Sequence, residues 1–102
     1  MKKGTTPTHT FTLPDNIDET AIKEIEITYS QKDSVILTKK TQDCTLHNRV
    51  ITVQLTQQDT FAFNHNLWVE IQVRLLTHAG DVMSSDIFKI STEKCLSNEV
   101  LK

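Results

Sequence analysis

Leu67-Trp68-Val69-Glu70-Ile71-Gln72-Val73-Arg74-Leu75 places an apolar side chain at every odd position and, Trp68 apart, a polar one at every even position. Successive side chains of a strand point to opposite faces, whereas a helix brings an apolar residue back every three or four. A sustained period of two is therefore a strand with one buried face. A sheet wet on one side is normally antiparallel, because a parallel sheet needs helices on both faces.

The same pattern recurs on either side. Ile25, Ile27 and Tyr29 alternate with Glu26 and Thr28, the polar Gln31-Lys32-Asp33-Ser34 makes a turn, and Val35–Lys39 returns as the second arm of a hairpin. A further hairpin joins Cys44-Thr45-Leu46 to Val50–Leu55 through a turn at His47-Asn48, where asparagine tolerates a left-handed backbone. Thr8–Leu13, with Phe11 and Leu13 on one face, reads as a first strand at a sheet edge, ended by Pro14. After Ala79-Gly80-Asp81, Val82–Thr92 returns as a strand with Phe88 and Ile90 in phase. The acidic stretch Pro14–Ala21 reads as a loop, with a short helix capped by Asp18 as the alternative. Thr56 and Asp59 resemble a capping box for a single helical turn that crosses from one sheet to the other.

Composition supports sheet over helix. Thr, Val and Ile recur throughout, while Ala occurs only at positions 21, 62 and 79. A chain of 102 residues holds one core, and its apolar share of 37% predicts a thin one. The expected fold is all-β, an antiparallel β-sandwich of immunoglobulin-like type with about seven strands. A small barrel is the alternative, because the cysteine and tryptophan spacing of antibody domains is absent. Residues 1–7 are expected to form a flexible N-terminus, 8–95 the single sandwich domain and 96–102 a C-terminal tail.

A formal charge of -2 provides no basic face for nucleic acid. Met1-Lys2-Lys3-Gly4 is followed by Thr, Pro and His where an export signal needs an apolar stretch, so none is expected. Val35-Ile36-Leu37 and similar runs fall far short of the roughly 20 residues that span a bilayer, and no membrane association is expected. Two cysteines, Cys44 and Cys95, suit a reducing compartment better than a disulfide framework, although one bridge between them is geometrically open.

No catalytic, cofactor-binding or metal site emerges from the residues. His9, His47, His65 and His78 lack the short spacings that pre-arrange metal ligands. Cys44 near His47 has no electropositive setting to lower its pKa, and Asp15 with Asp18 lacks the ligand pattern of a calcium loop. Neither a G-x-S-x-G elbow nor a phosphate-cradling glycine loop occurs. The residues that invite a partner are apolar ones outside the buried series: Trp68 and Leu76, on the opposite face of their strand, and Phe61 and Phe63 just before it. A ligand-binding module that stacks sugars on Trp68 and Tyr29 is the competing expectation.

The opening Gly4-Thr5-Thr6-Pro7-Thr8-His9-Thr10-Phe11-Thr12-Leu13-Pro14 forms part of a wider likeness. With Leu55-Thr56-Gln57-Gln58-Asp59-Thr60, Val69-Glu70-Ile71-Gln72-Val73-Arg74-Leu75 and Lys94-Cys95-Leu96, it resembles a family of short proteins encoded in phages and prophages of Firmicutes. The resemblance covers nearly the whole chain and implies a non-catalytic virion component of tail, baseplate or head. Its partners would be other virion proteins or further copies of itself, and its location the virion or the bacterial cytoplasm. It assigns no functional residues.

Overall fold

In the computed structural model, which describes residues 1–102, the alternating segments become β1 (Thr8–Thr12), β2 (Ile22–Gln31), β3 (Ser34–Lys40), β4 (Cys44–His47), β5 (Val50–Gln54), β6 (Val69–Thr77), β7 (Val82–Ser84) and β8 (Phe88–Ile90), with one short helix, α1 (Gln57–Phe61). They form two antiparallel sheets, one in the order β1-β5-β4 and one in the order β3-β2-β6-β7, with β8 also pairing β6. Leu13, Ile51, Val53 and Leu55 on the three-stranded side share one buried cluster with Ile25, Ile27, Tyr29, Val69, Ile71, Val73 and Leu75 on the other. In β2, β5 and β6 the buried apolar positions are those picked out by the period of two.

Four local expectations are corrected. Pro14–Ala21 is not all loop: Asp18 accepts a hydrogen bond from Thr20 N–H at 3.0 Å and opens a 3-10 turn over Glu19–Ala21, so β2 starts at Ile22. The reversal after β4 falls on Asn48-Arg49, both at positive φ, and not on His47-Asn48. Val82–Thr92 is not one strand but two, because Ser85 leaves the ladder to hydrogen-bond Val73 through both its backbone N–H and its hydroxyl oxygen. Gln31, expected in the turn, is the buried last residue of β2.

The capping box at α1 forms as the sequence predicts. Asp59 N–H donates to Thr56 Oγ1 at 3.0 Å while Thr56 N–H donates to Asp59 Oδ2 at 2.9 Å. The turn of helix carries the chain from β5 in one sheet to β6 in the other. Asp59 also pairs with Lys39 of β3 at 2.8 Å, with little of either side chain exposed, which ties the crossing to a sheet edge. At the termini, Met1 amino donates to Ser91 O and Glu93 N–H to Met1 O, and Lys2 bridges Glu93 in parallel. Leu101 exchanges two hydrogen bonds with the Gln57 side chain. No helix is long and apolar enough to cross a membrane.

Candidate functional site

The interface candidates separate into distinct environments. Trp68 stands just before β6 and is 62% exposed. Leu76 is half-buried near the far end of the same strand, about 27 Å away for eight residues of strand. The two therefore do not form one patch. Phe63 is 1% exposed and belongs to the core, where its ring meets Tyr29 edge-on at 6.0 Å. Phe61 is half-buried and lies against Gly4: a Cβ there would come within 2.7 Å of its ring, and Gly4 itself sits at φ +75. Phe61 thus holds the N-terminal segment in place.

Between Trp68 and Leu76 runs the outer face of the larger sheet, whose composition follows from register. Lys40, Glu26 and Arg74 form one row, and Thr38, Thr28 and Gln72 the next. Glu26 accepts from Lys40 Nζ at 2.6 Å and faces Arg74 Nε at 3.7 Å; the Lys40 bond outweighs a small cost of burial and holds the carboxyl below its ordinary range. The row ends in a cleft of about 360 Å³ bordered by Glu24, Glu26, Lys40, Arg74, Leu76 and Val82. Chemically this is a face of paired charges with an apolar margin, able to recognise a polar surface by hydrogen bonds.

The titratable groups in the core are arranged for packing. His9 Nδ1 and Tyr29 Oη lie 2.8 Å apart, joining β1 to β2 across the two sheets. Burial pushes the fully enclosed phenol far above its ordinary range, so it is a standing donor, and burial holds His9 below its ordinary value, helped by the Met1 ammonium. Cys44 and Cys95 are both free thiols, and burial raises Cys44 with Asp43 adding to the effect, the reverse of an activated nucleophile. His47, His65 and His78 are exposed and scattered, and nowhere do three His, Cys, Asp or Glu side chains gather in a metal-binding group.

A second surface lies at the edge strand β1. Thr8, Thr10 and Thr12 are exposed, and beside them Phe88 and Ile87 are 46% and 55% exposed, with the Phe88 ring 6.0 Å from that of Phe11. The edge position of β1 was legible from Pro14; the apolar flank was not, since it depends on β8 lying opposite in the other sheet. No family model matches the chain, and no curated protein compared with it matches either.

Proposed function

We propose that this chain is a non-catalytic structural or assembly protein of a phage or prophage particle, of tail, baseplate or head, acting through protein–protein contacts on an immunoglobulin-like scaffold. The scaffold reading is supported by strand order. A sheet β1-β5-β4 facing β3-β2-β6-β7 corresponds to the immunoglobulin arrangement B-E-D against C′-C-F-G, with the crossings in the same places and the first strand missing. Tyr29, central on β2, takes the core position that a tryptophan fills in antibody domains.

The observation that carries the assembly reading is Trp68, a large amphipathic side chain left open at the end of a face of fixed charges. Burying such a side chain is worth most against another protein, where tryptophan is over-represented among the residues that dominate binding. The sugar-binding reading is weaker, because Tyr29, the second aromatic it requires, is wholly buried. Quantitative mass spectrometry of purified particles from an induced lysogen tests the reading. A fixed copy number per particle is the expected result, and absence from particles removes the virion assignment. Titration with glycans should leave the Trp68 fluorescence unchanged; a saturable shift would favour the sugar binder.

A further inference from the structure

We propose that β1 is the pairing edge of a symmetric dimer, in which the three-stranded sheets of two copies of this chain join antiparallel about a two-fold axis at Thr10. The inference deepens the assembly reading and rests on it. It begins with the phase of the ladder. Leu13 N–H donates to Arg49 O at 2.8 Å and Leu55 N–H to Pro7 O at 2.9 Å, so the odd-numbered residues of β1 hold the hydrogen-bonded pairs with β5. In an antiparallel strand the alternate residues then aim their backbone groups the other way, which leaves the N–H and C=O of Thr8, Thr10 and Thr12 at the free edge.

The remaining edges are guarded. β3 carries Lys39 and Lys40 and a bulge in its pairing with β2. β4 is four residues long and ends in His47, and β7 and β8 are three-residue pieces interrupted at 85–87, the second carrying Lys89. Charges, bulges and shortness are the devices by which sheets avoid pairing with another chain, and β1 has neither a charged residue nor a proline nor a bulge within its span.

Self-complementarity selects a second copy as the occupant. With Thr10 opposite Thr10, Thr8 falls opposite the other copy's Thr12, and each of these pairs exchanges both of its N–H···O=C bonds. Threonine meets threonine across the solvent face, a favourable cross-strand pair. No charged side chain lies within Thr8–Thr12, so the two-fold pairing sets no like charges opposite one another. Ile87 and Phe88, open beside the edge, are covered by the incoming copy.

Sedimentation equilibrium of the full chain, from low to high micromolar concentration, should show a monomer–dimer equilibrium. Thr10→Lys and Thr10→Glu each oppose like charges at the axis and should weaken the dimer by about tenfold or more, while an equimolar mixture of the two should pair again. Both substitutions leave the β5 ladder intact, and unchanged far-ultraviolet spectra and thermal midpoints establish that the variants are folded. A wild-type chain that stays monomeric throughout, a dimer indifferent to both variants, or a mixture that fails to pair would each overturn the proposal. A monomeric protein present in particles sinks the edge alone, whereas a dimer missing from particles sinks the virion reading alone.

Discussion

Gln31 is buried, yet its amide is fully engaged: Nε2 donates to Asn64 O at 2.8 Å and Leu67 O at 3.2 Å, and Oε1 accepts from Asn64 N–H at 2.8 Å. One side chain thereby fixes the segment that delivers the chain into β6 and sets where Trp68 emerges. Gln31→Leu keeps the bulk and removes all three bonds, leaving the Asn64 N–H and the Leu67 carbonyl without these partners while Asn64 O keeps its bond from Leu67 N–H, so it should cost about 2–3 kcal/mol in urea unfolding. Nothing in the sequence marks this role. Periodicity tells which face a residue occupies, not whether its partners arrive from a loop distant in sequence, and a glutamine beside Lys32-Asp33-Ser34 looks like one more turn residue. Phe63 was unreadable for a related reason, since an aromatic outside any strand pattern is assigned to core or surface only by what packs over it.

Each tight hairpin places one long side chain poorly suited to it, Lys32 in the first and Arg49 in the second, beside an Asp or Asn that tolerates the left-handed region. Lys32 and Asp33 stand at φ 49 and 66, and Asn48 and Arg49 at φ 50 and 66, so each pair occupies the left-handed region that a two-residue hairpin of this hand requires. At the second turn the strain is offset by Arg49, whose guanidinium donates to Ile17 O at 2.6 Å, Leu13 O at 3.2 Å and Pro14 O, binding the loop before β2 to the hairpin. The first turn has no such compensation. Lys32→Asn with Asp33→Gly should therefore stabilise the domain by about 1 kcal/mol, read as a rise of about 4–8 °C in thermal midpoint. No rise, or a fall, would show that the side chains at this turn matter more than its backbone. The strands on either side were legible because burial of one face imposes a period of two. The turn registers were less so, because these turns lack the glycine that normally signals them, and Val82–Thr92 reads as one strand because Ser85 breaks the ladder through hydrogen bonds that leave no trace in hydropathy.

For the molecule as a whole, period and turn residues marked the hairpin neighbours β2–β3 and β4–β5 but not the long-range ones: that β2 also lies beside β6, or β1 beside β5, follows from how the chain crosses between sheets. One consequence is a titratable bond across those sheets. His9 on β1 meets Tyr29 on β2 with its ring half-buried, and burial, followed by the Met1 ammonium, holds its pKa below the ordinary histidine value of 6.5. The unfolded chain therefore binds the proton more readily. Stability should be insensitive to this group above its unfolded pKa, fall as pH drops from about 6.5 towards the folded value, and level off below it. The carboxyls of Asp59 and Glu26 act at lower pH. Burial pushes Asp59 up, but the bonds from Lys39 and the Thr56 backbone outweigh it, and Lys40 dominates at Glu26, so both fall below their ordinary range and lose stability only as pH drops through the acid region. Urea midpoints for the wild type should thus decline between neutral and mildly acidic pH before the acid transition begins. His9→Gln keeps a hydrogen-bonding side chain against Tyr29 without a proton to gain and should flatten that first decline. Parallel curves for the two proteins would mean that the contact between the sheets does not sense pH, and that His9 serves β1 by packing alone.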